Sequence, residues 1–479
     1  MGVGKKAIRS TIFVAIGTYS SVAVSFATSI ILARLLAPEY FGIVALGGFF
    51  IELFGRVREF GFDQALVHRQ KDPEKAYSTH FILNSFAFFL SFLLSLIASP
   101  ILLKFYDSQV VVVFLILSFL LFLKGTSQTP RIYLEKELAF GRVVLIDFVA
   151  LLLSCAISVS MAFKGYTLSA VVAHTGLLYL FTFIGFWLTK PPKLSLKLDK
   201  ETAFWFMKFG GFLWIGGFAT FVLFKFNDFL AGTFLGAAVL GYYSKAFNLA
   251  QLPNSFVTSI ASRVALPTYA KLQGEKEKLA DGFNLILRNI VRISVPIALI
   301  LFLVSGRFVL LLFGEKWLPM VPILRVLSVY AFSRAIFDDA GAFLTAIGRP
   351  NVVSKYLSLQ AILTIIISPL LAWKFGVFGL TLGLDLVLVL GVLLAYYFLN
   401  KEIKVDFLGS FFPSFLVAII TTLGFYFFES LNIRGSLFLL TALDIFFVLM
   451  VYTLVSFILN GKSVLQDLVF LKNKFKAVE

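Results

Sequence analysis

Apolar residues in this chain fall in runs of about twenty, the length a helix needs to cross roughly 30 Å of hydrocarbon, between short clusters of charged and turn-forming residues. The period-two alternation of a lipid-facing strand is absent, which argues against a β-barrel. Hydrocarbon cannot satisfy an open backbone, so a helix bundle is the remaining solution. Breaks at charged and turn residues divide the chain into about fourteen predicted spans. They fall at 9–34, 40–63, 79–103, 109–132, 143–163, 167–189, 204–233, 239–266, 282–312, 320–346, 352–373, 377–399, 408–428 and 435–459. The first run follows Gly4-Lys5-Lys6 and continues to Leu36. That is too long for a signal-peptide core, and it reads as a retained helix.

Composition agrees with a polytopic, all-α membrane bundle. The chain has 479 residues, 59% of them hydrophobic and 14% charged, and a mean hydropathy of +0.93. A soluble chain of this length needs far more polar surface. The net charge of +16 would suit nucleic acid in a soluble protein. Here it is assigned instead to cytoplasmic loops and anionic headgroups, with membrane lipids rather than nucleic acid as partners. Cys155 is the single cysteine, so there is no intrachain disulfide and no cysteine metal cluster. No cofactor or metal is expected. His68, His80 and His174 are widely separated and read as structural or interfacial.

The loops alternate in charge. Lys5, Lys6, Arg69, Lys71, Arg131, Lys136, Lys193, Lys197, Lys276, Lys278, Lys401 and Lys404 fall on one set. The other set holds only Arg34, Lys104, Lys164, Arg307, Lys316, Lys374 and Arg434. The positive-inside rule then makes both termini cytoplasmic, in a multi-pass protein of the cytoplasmic (inner) membrane. After Asn460, Val464, Leu465, Leu468, Val469 and Leu471 lie between Lys462 and Lys472. This tail fits either the cytoplasmic membrane surface or a solvated end.

The halves also echo each other. Phe13, Ile16 and Gly17 recur as Phe212, Ile215 and Gly216, and Glu52-Leu53 as Gln251-Leu252. Leu134 recurs as Leu344, Val143-Val144 as Val352-Val353, and Ala162-Phe163-Lys164 as Ala372-Trp373-Lys374. An even number of spans per repeat relates the halves by an axis along the membrane normal, a geometry suited to alternating access. The expected organisation is a six-helix lobe at 1–198, a second at 199–403, and two additional helices with the tail at 404–479.

The stretch Leu32-Ala33-Arg34-Leu35-Leu36-Ala37-Pro38-Glu39-Tyr40-Phe41-Gly42, with Gly61-Phe62-Asp63-Gln64-Ala65-Leu66-Val67, resembles the start of bacterial Wzx-type polysaccharide and O-antigen flippases. These belong to the multidrug/oligosaccharidyl-lipid/polysaccharide exporter superfamily. Asp228, Leu240-Gly241-Tyr242-Tyr243-Ser244-Lys245-Ala246, Leu252-Pro253, Leu266-Pro267, Gln273 and Ala346-Ile347-Gly348-Arg349-Pro350 continue the resemblance. It implies two six-helix lobes around a central cavity, often with two C-terminal helices. It also implies an undecaprenyl-pyrophosphate-linked oligosaccharide moved from the cytoplasmic to the outer leaflet. A polysaccharide polymerase and glycosyltransferases are the partners it suggests.

Charges inside spans are costly and tend to face a bundle interior or a wet cavity. Span two places Glu52, Arg56, Glu59 and Asp63 on one helical face, with Arg58 off it. Span seven carries Lys225 and Asp228, and span eight Lys245. Lys124 and Arg334 share a register at a shift of 210, and Asp338 follows Arg334 by one turn. The substrate-binding candidates are therefore Arg56, Lys124, Lys225, Lys245 and Arg334, because cations replace the lost hydration of a pyrophosphate. Glu52, Asp228, Asp338 and Asp385 are candidates for H+ or Na+ coupling or for structural pairing. No Gly-rich phosphate loop is present for ATP. Within the superfamily, a lipid II flippase and a multidrug/cation antiporter are the alternatives. A polymerase or ligase is disfavoured, because the outer loops are short and hold no catalytic constellation.

Overall fold

The computed structural model describes residues 3–58, 60–69, 71–189, 191–271 and 274–476. Side chains are described for these except 3–13, 57, 210–216, 253, 255–268, 270, 271, 460 and 462–476. Glu59, the side chains of Phe212, Ile215 and Gly216 in the repeat, and those of the tail hydrophobics lie outside the described set. The described residues form helices and turns, with no strand among them. Among the described residues, ten helices are long and apolar enough to cross a membrane. The number is eleven when Glu315–Val326 and Ser328–Ala346, bent by 46°, form one broken span. Large apolar side chains stay on the outside, with Trp373 84% and Phe427 71% exposed, as hydrocarbon rather than water requires.

The chain divides into two compact units, 1–241 and 242–479. The first holds α1 (Val3–Leu35), α2 (Pro38–Phe54), a 3₁₀ turn (Gly55–Arg58), α3 (Phe62–His68), α4 (Pro73–Leu102), α5 (Ser108–Thr126), α6 (Gln128–Lys136), α7 (Phe140–Phe163), α8 (Leu168–Trp187) and α9 (Lys200–Leu230). A π-helical turn, Ala231–Leu235, follows α9. α7 packs on α1 and α8, and α5 on α2, α4 and α8. α9 starts where the Asp199 carboxylate accepts from the Thr202 amide (2.9 Å) and hydroxyl (2.6 Å). Those bonds hold the Asp199 carboxyl below the usual range and cap the helix.

The resembling glycines have a packing reason. A Cβ on Gly42 would stand 1.7 Å from the Ala237 carbonyl oxygen, and one on Gly241 would stand 2.0 Å from that of Pro38. The start of α10 (Ala237–Lys271) thus crosses α2 backbone to backbone, which only small residues permit.

The second unit continues with α11 (Lys276–Leu303), α12 (Ser305–Phe313), α13 (Met320–Val326), α14 (Ser328–Ala346), α15 (Pro350–Leu399), α16 (Phe407–Ser430) and α17 (Leu437–Lys476). α15 has 50 residues but breaks at Gly376 (φ 58°, ψ −138°). Its arms fold back antiparallel, with Gly379 on the Leu371 carbonyl, Gly383 on Ser368 and Gly391 on Gln360. α14 packs on α11 and α15, and α16 on α11 and α17.

Several expected spans are interrupted. The stretch 40–63 is not one helix: α2 tightens into the 3₁₀ turn at Gly55, and Gly61 turns left-handed (φ 66°). The predicted face Glu52–Arg56–Glu59–Asp63 therefore does not persist, and Asp63 belongs to α3. The stretches 109–132, 282–312 and 320–346 divide at Ser127, Val304 and Leu327.

Candidate functional site

In the first unit the end of α2 and the turn after it gather charge. Glu52 accepts from Arg56 Nη2 at 2.9 Å, and Arg58 Nη2 lies 3.6 Å from its other oxygen. Helical periodicity put Arg58 off this face; the tighter 3₁₀ turn brings it round. Arg56 also donates to the carbonyls of Glu52 and Gly217, each at 3.1 Å, and lies over the Phe221 ring. On α6, Arg131 pairs with Glu135 at 3.1 Å and with Asp147 of α7 at 3.1 Å.

Lys124, near the end of α5, stands between these groups. Its ammonium lies 4.8 Å from the ring centroid of Tyr179 on α8. Arg131, Asp147 and Arg58 are within its electrostatic reach, and Glu52 and Arg58 are within that of Tyr179. Among the described residues no carboxylate comes within ion-pairing distance of Lys124. Among the described residues, Arg56, Arg58, Lys124 and Arg131 face Glu52, Glu135 and Asp147. A cation held by a ring face and surrounded by low dielectric is a strong point attractor for an anion.

The other candidates are engaged differently. Lys225 pairs with Asp228 at 3.2 Å, just before the π turn. In the second unit Arg334 pairs with Asp338 at 2.8 Å, and Asp338 also accepts from Asn254 at 3.1 Å. Asp385 is 5% exposed, and neither of its oxygens meets a hydrogen-bond donor at bonding distance. Lys245 lies on α10, in a part-buried position.

Three participants escaped the sequence reading. Asp147 is an acidic residue inside an apolar run, and the rule that selected Asp228 and Asp385 applies to it equally. Arg131 was placed among loop cations, yet it sits on α6 with two carboxylate partners. Tyr179 gave no signal in sequence. His80, read as structural, is fully buried and hydrogen-bonded on both ring nitrogens, to Asp63 Oδ1 (3.0 Å) and Thr129 Oγ1 (2.8 Å). The described residues hold no group of three or more His, Cys, Asp or Glu side chains placed to bind a metal ion.

Comparison with known proteins bears on the whole chain. A family model described as polysaccharide biosynthesis protein matches residues 31–322. The lipopolysaccharide biosynthesis protein WzxC of Escherichia coli K12 is 26% identical over 431 residues, covering 88% of this chain and 85% of that protein. The teichuronic acid biosynthesis protein TuaB of Bacillus subtilis is 30% identical over 304 residues, 62% of each chain. Among solved structures, the lipid II flippase MurJ in an inward closed conformation superposes with a TM-score of 0.72 at 16% identity. That match covers 95% of this chain and all of the other. An inward-facing MATE-family multidrug transporter gives 0.62 at 12% identity, covering 80% of this chain and 95% of its own. At these identities the two structures bear on the fold alone.

Proposed function

Because the chain belongs to the polysaccharide biosynthesis protein family, we propose that it flips an undecaprenyl-pyrophosphate-linked oligosaccharide from the cytoplasmic to the outer leaflet by alternating access. It is a Wzx-type membrane transporter and not an enzyme. The observation that carries the reading is Lys124, which among the described residues lies over the Tyr179 ring with no carboxylate at ion-pairing distance, beside arginines that are ion-paired. Sugars and pyrophosphate cannot shed their water into lipid, and a polar cavity with fixed positive charge offsets that loss. Lys124 is the first phosphate contact in this proposal. Arg56, Lys225, Lys245 and Arg334 act with it or hold their carboxylate partners.

The finer organisation belongs to the same proposal. The chain makes fourteen crossings of the inner membrane, in lobes at 1–198 and 199–403 with two further helices at 404–479, and both termini are cytoplasmic. Movement draws on an H+ or Na+ gradient, with Glu52, Asp228, Asp338 and Asp385 as the acidic candidates. A polymerase and glycosyltransferases act before and after the flip.

The test is flipping of a fluorescent lipid-pyrophosphate oligosaccharide in proteoliposomes, with lipid II as the parallel substrate. Lys124→Ala should reduce the rate at least tenfold with folding intact, and Arg334→Ala should reduce it too. Unchanged rates in both variants would remove the proposed site. Transport of small organic cations in place of either lipid would reassign the chain to a drug exporter.

A further inference from the structure

One face of α4 carries His80, Asn84 and Phe88 at successive helical turns, and all three hold the junction between α5 and α6. His80 Nδ1 meets Thr129 Oγ1 at 2.8 Å. Asn84 Nδ2 donates to the Gly125 carbonyl at 2.9 Å. The Phe88 ring covers Gly125 so closely that a Cβ there would stand 2.3 Å from it. Gly125 directly follows Lys124. The other nitrogen of His80 faces outward, to Asp63 Oδ1 at 3.0 Å. Asp63 in turn borders a cavity of about 520 Å³ that Gln64, His68, Gln128, Arg131 and Glu135 also line. A fully buried imidazole thus links a carboxylate on a cavity wall to the helix junction that carries Lys124.

We propose that Asp63 and His80 form a proton-binding site whose occupancy sets the position of Lys124 through the α5–α6 junction. Imidazole is the side chain that changes charge nearest neutrality. In the neutral ring, Nε2–H donates to the Asp63 carboxylate, which can only accept, and Nδ1 accepts the Thr129 hydroxyl hydrogen. Proton uptake from water adds a hydrogen at Nδ1, turning it into a donor. Thr129 Oγ1 must then accept and turn its own hydrogen toward a backbone carbonyl. The charged ring keeps its Nε2–H on Asp63 as an ion pair, so one proton enters and no bond to carbon changes. The elements around the ring add few other groups. α3 offers Asp63, and α6 offers Thr129, with the Arg131–Glu135 pair beyond it. Lys136 is spent on the carbonyls of Leu66 and Arg69. α9 sets Phe206 against the ring at 6.3 Å.

The consequence at Lys124 rests on the proposed substrate role of that residue; the proton site itself does not. The test is NMR of the full chain in nanodiscs. His68→Gln and His174→Gln leave one imidazole, and ¹³C-dimethylated lysines report Lys124, assigned with Lys124→Arg. The expected result is a single protonation step of the imidazole as pH is varied, with the Lys124 signal following at the same midpoint. Asp63→Asn, which removes the carboxylate that pairs with the charged ring, should weaken proton uptake. Thr129→Val keeps the ring but cuts its contact with the junction, so His80 should still titrate while Lys124 stops responding. An imidazole signal that does not respond to pH overturns the proposal, as does a Lys124 response that survives Thr129→Val. If both signals titrate as expected but no lipid-linked sugar is flipped, the proton site stands and the flippase reading fails.

Discussion

At the scale of single residues, the determining question for each intramembrane charge is whether its partner is fixed. Arg307 illustrates the fixed case. Its Nη1 lies 2.6 Å from Asp444 and 2.6 Å from Glu429, and Asp444 is 1% exposed. Removing one member of such a pair leaves an uncompensated buried charge, a loss of about 3 kcal/mol or more. Arg307→Ala should therefore lower the unfolding midpoint sharply in detergent, and adding Asp444→Asn should recover most of the loss. A double variant as unstable as the single one would show that Arg307 acts through packing instead. Lys124 is the contrasting case, since among the described residues no carboxylate is at ion-pairing distance from it. Lys124→Ala should thus spare stability while reducing flipping, the reverse of Arg307→Ala. Depth flags Lys124 in the sequence, whereas Arg307 falls among the loop cations, and the partners of neither can be read there. Partners such as Asp444 for Arg307, or a ring such as Tyr179 for Lys124, lie many residues away in the chain.

At the scale of elements, what hydropathy made legible was the position of each apolar run. The arms of α15 were separated correctly near Gly376, because Lys374 and Gly376 interrupt the run. The breaks at Ser127, Val304 and the Gly55–Arg58 turn do not end the predicted spans, because apolar residues resume on either side of the polar and glycine residues there. Those breaks bring Arg58, Arg131 and Asp63 to their partners, so missing them meant missing much of the site. Glycine positions convey the same lesson with a direct test. A Cβ on Gly379 would stand 2.0 Å from the Leu371 carbonyl oxygen, which is backbone and cannot step aside. Gly379→Ala should cost about 1–3 kcal/mol through overpacking, read as a lower melting temperature and reduced yield. On Gly48, inside α2, a Cβ meets nothing within 4 Å. Gly48→Ala should stabilise the chain by about 0.5–1 kcal/mol, the ordinary gain of Ala over Gly within a helix. Equal effects at the two positions would mean that helix propensity, and not close approach of the α15 arms, governs this fold.

At the scale of the whole molecule, the remaining question is which way the chain is threaded. Loop charge and helix count answer it jointly. If basic loops stay cytoplasmic, the segments near Lys71, Lys193 and Lys401 lie on one side, and those near Lys104, Lys164 and Arg434 on the other. Ten or eleven helices satisfy length and apolarity by themselves, and the proposed fourteen crossings need three further assignments. One comes from splitting the 50-residue α15 at Gly376, because an unbroken helix of that length would run about 75 Å at 1.5 Å per residue. The others are the short α2 with its turn, 17 residues before the 3₁₀ segment, and α10. Each assignment inverts every loop after it, so a miscount cannot hide. Replacing the buried Cys155 with Ala gives a background for single cysteines at Tyr106, Tyr166, Ser195, Lys374, Lys401 and Arg434. A membrane-impermeant maleimide applied outside intact cells should label positions 106, 166, 374 and 434 and spare 195 and 401. Labelling that is correct through 195 but inverted at 374, 401 and 434 would expose an error between α9 and the first arm of α15, the stretch that contains the added α10 crossing. It would leave the first-unit cluster around Lys124 on its proposed side, because every loop that fixes that cluster precedes the error.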